Sequence, residues 1–134
     1  MVEYVRTPTI VWANQKTRVV TWTGLLGTDS GAAVELSNFS DKTIHIFGTW
    51  DGATCTLYGS NDPRALVDKN AGTLYGSKTA SWIACKDNLD NNIAKSTSDG
   101  GYIVIEDYLY NLVVVTGGGA NTALTAIISA KKVF

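Results

Sequence analysis

The side chains best suited to catalysis are few, and their spacing matches no catalytic pattern. His45 is the single histidine among 134 residues, and a nucleophile or carboxylate partner cannot be assigned to it from spacing. Glu35 and Glu106 could supply the two acids that glycoside hydrolysis needs, but nothing in the sequence links them. We therefore predict no catalytic residues, and we interpret His45 as a surface or interface histidine.

Metal and cofactor sites are not indicated either. One histidine and two cysteines at non-motif spacing fall short of a zinc site, and residues 87–99 lack the EF-hand pattern, although calcium in that loop stays an alternative. The glycines at 117–119 lack the Gly-Lys-Ser/Thr and the helix of a phosphate loop. Without a secretory signal the compartment of synthesis is reducing, so we expect Cys55 and Cys85 to be buried free thiols.

Composition indicates a globular protein that binds neither nucleic acid nor membrane. The chain is 45% hydrophobic and 17% charged, with a net charge of −1 and its 11 Lys and Arg scattered. Scattered cations do not form a surface that follows phosphates. No segment approaches the ~20 apolar residues of a membrane helix. The length suits one domain with a sizeable core.

A two-residue turn at Asp51-Gly52 gives the strongest structural signal, because it predicts a β-hairpin between residues 43–50 and 53–60. Pairing Trp50 with Ala53 makes one face apolar or small, as a core face should be. The other face contains no Asp, Glu, Lys or Arg. It consists of Thr43, His45, Phe47 and Thr49 opposite Ser60, Tyr58, Thr56 and Thr54. We expect this face to be covered, either by another surface or by a second sheet of the same chain.

Eight segments rich in β-branched and aromatic residues are separated by turn residues. They are residues 17–23, 32–36, 43–50, 53–60, 79–86, 102–106, 108–116 and 122–131. Without a convincing helical period, this pattern predicts an all-β, antiparallel β-sandwich of about eight strands, jelly-roll-like, with its strand order left open. Residues 109–115 and 124–130 would form a central hairpin through the glycines at 117–119.

Residues 1–15 precede this predicted domain, which covers residues 16–134. They contain Pro8 and show little alternation, yet they carry Tyr4, Val5, Ile10 and Trp12. Apolar side chains left in water are unfavourable, so we expect an extended N-terminal arm across a neighbouring subunit. The alternative is an ordinary first strand of the chain's own sheet.

Several motifs resemble those of small virion proteins that decorate the capsids of tailed bacteriophages. They are CTLYGSNDP at 55–63 followed by Ala65 and Leu66, TWTGL at 21–25 with GAAVEL at 31–36, the strand ending at Asp51-Gly52, and the two last strands around the glycines at 117–119. The resemblance covers most of residues 17–132. The motifs are loose, and no single residue carries a family role onto this chain.

The resemblance implies a capsid decoration, or cement, protein. Such a protein is made in the host cytoplasm and lies on the capsid surface of the virion as a dimer or trimer over capsomer junctions. Its partner is the major capsid protein, and it needs no cofactor. From their apolar character we expect Tyr4, Val5, Ile10 and Trp12 to form capsid or subunit contacts, and Phe47 and Tyr58 to form the oligomer contact.

Two other functions remain open at this point. A carbohydrate-binding or receptor-binding module would use an exposed aromatic residue such as Trp82 together with the Asn-rich loop at 88–92. A tail, head-completion or fibre-base protein would use the same sandwich elsewhere in the virion.

Overall fold

A computed structural model describes residues 4–133 and contains two β-sheets packed face to face. Its strands are β1 (Val5–Arg6), β2 (Thr9–Trp12), β3 (Thr17–Leu25), β4 (Ser30–Gly31), β5 (Val34–Glu35), β6 (Phe39–Thr49), β7 (Thr54–Ser60), β8 (Ile83–Ala84), β9 (Ala94–Ser96), β10 (Gly100–Val104), β11 (Tyr110–Thr116) and β12 (Ala123–Lys132). A short helix, α1 (Ala65–Ala71), and a 3₁₀ turn at Tyr75–Ser77 lie between β7 and β8.

The two sheets share one core, which confirms the predicted all-β sandwich. The first sheet, sheet A, has the order β1-β4-β11-β7-β8, with β5 beside β11 and β9 beside β7. The second, sheet B, has the order β10-β6-β12-β3-β2. All pairings are antiparallel except that of β1 with β4. Side chains from both inner faces interdigitate, as sandwich packing requires.

Both predicted hairpins are wrong, because each joins strands of different sheets. β6 pairs with β12 and β10, whereas β7 pairs with β11, β8 and β9. In the same way β11 lies in sheet A and β12 in sheet B. The paired strands β6 and β12 therefore continue across the end of the sandwich as the paired strands β7 and β11, which is the layout of a jelly roll.

The predicted inner faces are nevertheless correct. Ile44 and Ile46 on β6, and Cys55 and Leu57 on β7, are buried. Alternation of side chains along a strand identifies the face that meets the core, but the pattern is the same for two strands paired in one sheet and for two strands facing each other across the core. Alternation alone could not distinguish these arrangements.

The Asp51-Gly52 turn itself forms. Both residues have positive φ, 45° and 80°, and the Ala53 amide donates to the Trp50 carbonyl at 2.8 Å, as in a type I′ turn. The connection between β11 and β12, which also crosses from one sheet to the other, is bonded to this turn. The Gly119 amide donates to the Asp51 carbonyl at 3.0 Å. The Asp51 carboxylate also accepts from the Asn121 amide at 3.0 Å. The two chain crossings thus support each other at one end of the sandwich.

The N-terminal residues that the structure describes are not a separate arm. β1 pairs with β4 in sheet A, and β2 pairs with β3 as an edge of sheet B. Among the described residues, this is the arrangement of the alternative, an ordinary first strand of the chain's own sheet. Residues 1–3 of the predicted arm lie outside the described residues.

The segment between β7 and β8 covers the outer face of sheet A and contains the helix that the sequence analysis did not predict. Seven residues are too few to show a helical period, although Pro63 before α1 and Gly72 after it, with φ of 57°, are typical helix boundary signals. Tyr58 stacks on Tyr75 at a ring distance of 4.7 Å and packs over Leu112. Within residues 4–133, no helix is both long and apolar enough to cross a membrane.

Asp68 of α1 holds this covering segment together. Its carboxylate is buried and accepts from Thr79 N at 2.8 Å, Ala80 N at 3.1 Å and Trp82 Nε1 at 3.0 Å. Burial opposes ionisation, but these hydrogen bonds and one from the Thr79 hydroxyl outweigh it and lower the pKa of Asp68 below its ordinary value of 3.8. The ionised form of Asp68 is therefore the form that the fold stabilises.

We expect Asp68→Asn to lower the melting temperature at pH 7, because an amide nitrogen would face these donors. Since the folded-state pKa of Asp68 is depressed, its contribution is fully present above the unfolded value and is lost as pH falls through the folded value. The difference in melting temperature between wild type and variant should therefore shrink as the pH falls below the ordinary carboxyl pKa of 3.8, and it should vanish below the lowered folded-state pKa. Melting followed by tryptophan fluorescence measures it, and a difference independent of pH would contradict this role of Asp68.

Candidate functional site

The outer face of sheet B is a continuous uncharged surface. Residues directly opposite each other in antiparallel strands point to the same side, so the register defines three rows across the sheet. We call these twelve residues the uncharged face. They are Ile103, Thr43, Ser129, Val19 and Val11 in the first row, Gly101, His45, Ile127, Thr21 and Thr9 in the second, and Phe47 with Thr125 in the third.

The uncharged face is open to solvent at both edges and half-buried at its centre. Ile103 on edge strand β10 and Val11 on edge strand β2 are each 51% exposed. His45 and Phe47 contact each other with ring centroids 4.8 Å apart, near the middle of β6. Charged side chains border the face at both ends: Asp41 on β6 and Lys131 on β12 lie past the first row, and Asp99, which precedes β10 and accepts from the Gly48 amide at 3.1 Å, lies beside the third row. An exposed sheet face without charge is a typical feature of an interaction surface.

A concavity of about 570 Å³ extends the uncharged face past β10. It is lined by Thr43, His45 and Ile103 together with residues 87–89, which include the charged Asp87. Leu89 is among the most exposed large apolar residues of the described chain. The Asn-rich loop predicted for the carbohydrate-binding alternative thus lies beside this face, whereas Trp82 does not.

A second candidate surface lies between β2 and the end of α1. Val5 and Ile10 line a groove of about 590 Å³, with Val34 on one wall and Lys69 and Gly72 on the other. This is the open side of the sandwich, where the edges of the two sheets meet without a strand between them. Most of the residues that line the groove are apolar or small, and Lys69 is the charged residue among them.

Trp12 lies at the other end of β2 and is held by stacking. The guanidinium of Arg18 lies 5.0 Å from the Trp12 ring centre and 4.6 Å from that of Phe39, while the two rings are 5.7 Å apart. Cation–π contacts of this kind fix the indole without burying it. Trp12 therefore presents a fixed aromatic surface beside the groove.

The structure brings some of the predicted contact residues together and separates others. Val5 and Ile10 meet in the groove, and Trp12 follows Ile10 on the same side of β2. Phe47 and Tyr58 lie on opposite outer faces, so the pairing that placed them together is wrong. Whether any of these residues forms a contact with another protein stays a prediction.

Nine of the twelve members of the uncharged face were missed from the sequence, and the apolar side chains among them are Val11, Val19, Ile103 and Ile127. The available signal was the alternation of β12, where Thr125, Ile127 and Ser129 carry no charge at outward positions. That signal was hidden because β12 was expected to be buried on both faces, whereas only one face of it is buried in the structure.

The side chains that could take part in catalysis or metal binding are far apart or are occupied by structural contacts. Cys55 and Cys85 are free and buried, as predicted, and burial raises the pKa of each thiol to about 12, so both are protonated. Glu106 accepts from the Tyr108 hydroxyl at 2.8 Å. Among residues 4–133 no three His, Cys, Asp or Glu side chains group as metal ligands would.

No protein-family model and no curated protein sequence matches this chain. Among solved structures it is similar to the SPBc2 prophage-derived protein YomS, with a TM-score of 0.58 at 11% identity over 91% of this chain and 100% of that one. It also resembles a cupin domain from Bordetella pertussis Tohama I, with a TM-score of 0.49 at 13% identity over 98% of both chains. At such identity the similarity to YomS concerns the fold: this chain has the β-sandwich fold of a prophage-derived protein.

Proposed function

We propose that this protein is a structural component of a bacteriophage virion that binds the outer surface of the capsid at capsomer junctions and stabilises the expanded shell. Its partner is the major capsid protein. The contact is made by the side of the sandwich that carries Tyr4, Val5, Ile10 and Trp12, and it needs neither a catalytic residue nor a cofactor.

The observation that carries this proposal is the exposed apolar edge of sheet B beside the groove. Ile10 and Trp12 are half-exposed on β2, which has no neighbour on its outer side among residues 4–133. An open edge with apolar side chains is a known site of pairing with another chain, and most proteins protect such edges with charge. Lys69 is the charged residue among those that line the groove.

The fold similarity to a prophage-derived protein and the sequence resemblance to decoration proteins support a phage setting. In that setting the function is thermodynamic. A protein that binds only the expanded shell stabilises it by RT ln(1 + [L]/Kd) per site. Individually weak contacts suffice, because the shell repeats the same site many times and neighbouring contacts raise the effective affinity.

Cosedimentation with bare, expanded capsids tests the proposal. We expect saturable binding, one stoichiometric set of sites per capsomer junction, and a higher melting temperature of the decorated shell. A folded protein that fails to bind would contradict capsid decoration. Rings of about six to twelve copies in intact virions would instead indicate a tail or head-completion protein, and glycan binding lost in Trp82→Ala would indicate a carbohydrate-binding module.

A charged side chain placed on the contact side should weaken binding to the capsid. In Ile10→Lys the new ammonium group would have to be desolvated against the capsid, so we expect capsid affinity to fall at least tenfold. Ile83→Lys is the matched control, since Ile83 is 53% exposed against 46% for Ile10 and lies on β8 at the opposite edge of sheet A. Equal loss of cosedimentation in both variants would place the contact elsewhere.

A further inference from the structure

We propose that the free edge of β2 binds an extended segment of the major capsid protein as an added β-strand, and that this segment places a carboxylate side chain beside Arg18. The inference rests on the proposed function. It adds the conformation and the chemistry of the partner segment that the contact side would bind.

The backbone of β2 carries hydrogen-bonding groups that no strand of the described chain satisfies. The Ala13 amide donates to the Thr17 carbonyl at 2.8 Å, so Ala13 and Thr17 are a hydrogen-bonded pair. Such pairs alternate along antiparallel strands, so Val11 also bonds to β3, whereas the N–H and C=O groups of Ile10 and Trp12 point toward the free edge. An extended main chain is the partner that matches groups in this arrangement.

The core side of this edge has space for the side chains of an added strand. Ile10 and Lys69 line both the groove of about 590 Å³ described above and a second concavity of about 330 Å³, so the two are parts of one groove. Val34 lies in the first part, and Phe39 and Arg18 lie in the second. Because alternate side chains of a strand point to the same face, an added strand would direct every second side chain into this groove.

Charge in the second part of the groove indicates that one of these side chains is acidic. Of the three arginines, Arg6 and Arg64 each pair with an aspartate, at 2.8 and 2.7 Å. Among residues 4–133 Arg18 has no carboxylate partner: it donates through Nη1 to the Glu35 carbonyl at 3.5 Å, and its buried Nε has no acceptor. The Glu35 carboxylate instead contacts Lys69 at 3.5 Å. A guanidinium binds a carboxylate through paired donors, so Asp or Glu is the side chain that complements Arg18.

Two lysines add positive charge at the same end of β2. Lys16 follows this strand, and the Lys132 amide donates to the Lys16 carbonyl at 2.6 Å, so the two lysines lie opposite each other. Like charges placed opposite each other are unfavourable, and neither lysine forms an ion pair within residues 4–133. An incoming carboxylate would reduce this repulsion. We therefore expect the acidic residue of the segment at the Trp12 end and its apolar residues at the Val5 end.

Hydrogen exchange in decorated capsids tests the strand addition. The protein is bound to expanded capsids, exchanged, released and analysed by NMR. We expect the amides of Ile10 and Trp12 to exchange at least tenfold more slowly than in the free protein, because each gains an acceptor. The Ile103 amide is the reference. It lies on β10, at the opposite edge of sheet B, and its exchange should not change.

A backbone ester at Trp12 removes its N–H group and keeps the indole. We expect capsid affinity to fall about three- to tenfold, which corresponds to one hydrogen bond. The same ester at Ile103 is the matched control. The Ile105 amide donates to the Lys86 carbonyl outside sheet B, so by alternation the Ile103 amide also points toward a free edge. This control should bind capsids as the unmodified protein does.

Arg18→Gln tests the carboxylate. We expect capsid affinity to fall at least tenfold and its dependence on salt to weaken. Lys131→Gln is the matched control, because it changes the net charge equally at an exposed position on β12 that lies opposite Thr17. Equal losses in the two variants would indicate general attraction by positive charge and would overturn the assignment of Arg18.

The outcomes separate this inference from the proposed function. Cosedimentation with unchanged exchange at Ile10 and Trp12 would overturn the strand addition and leave the capsid function standing. Slow exchange of both amides in concentrated protein without capsids would identify a second copy as the occupant and would overturn the inference. A folded protein that does not cosediment contradicts the proposed function and the named partner together.

Discussion

Gly48→Ala is expected to destabilise the fold more than any other single methyl addition on β6. Gly48 has a φ of +136°, which a residue with a side chain rarely adopts, and a Cβ at this position would lie 2.2 Å from the carbonyl oxygen of Ala123. That oxygen belongs to the backbone of β12, so it cannot move away as a flexible side chain could. We expect a loss of about 3–5 kcal/mol in the free energy of unfolding.

Chemical denaturation of Gly48→Ala and Gly76→Ala measures this effect. Gly76 is the matched control, because a Cβ there would meet no atom within 4 Å and its backbone does not have a positive φ. The control should change stability by less than about 1 kcal/mol. Similar losses in the two variants would show that the β6–β12 approach is less constrained than the geometry indicates.

The close approach at Gly48 also explains why this strand leaves sheet B where it does. The Gly48 amide and the indole of Trp50 both donate to Asp99, at 3.1 and 2.9 Å. These donors lower the pKa of the Asp99 carboxyl below its ordinary value. Just past Gly48, Trp50 turns into the core and the Asp51-Gly52 turn carries the chain to sheet A. Gly48 and Asp99 therefore set the end of β6.

The sequence was sufficient to predict the class of fold, because alternation and turn residues act locally. The faces of β6 and β7, the Asp51-Gly52 turn and the buried state of both cysteines are all as predicted. Strand pairing could not be predicted from the sequence, because an Asp-Gly turn between alternating strands is compatible with a hairpin and with a crossing between sheets. What decides between them is the β6–β12 contact, which joins residues far apart in the chain.

For the same reason, the candidate surfaces could be predicted from the sequence only in part. A charge-free outer face was recognised on β6, but its true neighbours are the outward residues of β12, β3 and β10. The apolar character of Ile10 and Trp12 was evident from the sequence. Their position on a sheet edge depends on the pairing of β2 with β3, for which the sequence gave no local signal.

Asp29→Ala is expected to release the N-terminal strand from the sandwich. The Asp29 carboxylate is fully buried and accepts from Arg6 Nε at 2.8 Å, the Leu26 amide at 2.8 Å and the Tyr4 amide at 3.1 Å. Removing it leaves two backbone donors and one guanidinium without their partner. We expect a loss of about 3 kcal/mol in the free energy of unfolding, since unpaired buried groups are costly.

The variant Arg6→Ala distinguishes the contribution of the Arg6–Asp29 ion pair from that of the backbone amides that donate to Asp29. In that variant Asp29 keeps the Tyr4 and Leu26 amides, and Arg6 is itself one-third exposed, so the loss should be only about 1 kcal/mol. Hydrogen exchange gives a local measure, because the amides of Ser30 and Ala32 donate to the carbonyls of Tyr4 and Arg6. Both amides should exchange faster in Asp29→Ala than in Arg6→Ala, whereas core amides of β11 should be far less affected.

The same comparison connects stability to the proposed capsid contact. If Asp29 holds β1 against β4, its loss also disorders Val5 and opens the groove that Val5 and Ile10 line. Capsid affinity should then fall in Asp29→Ala under conditions where the sandwich is still folded, while Arg6→Ala should bind nearly as wild type does. Unchanged affinity in Asp29→Ala, with faster exchange at Ser30 and Ala32, would mean that the ordered N-terminal strand is not part of the contact.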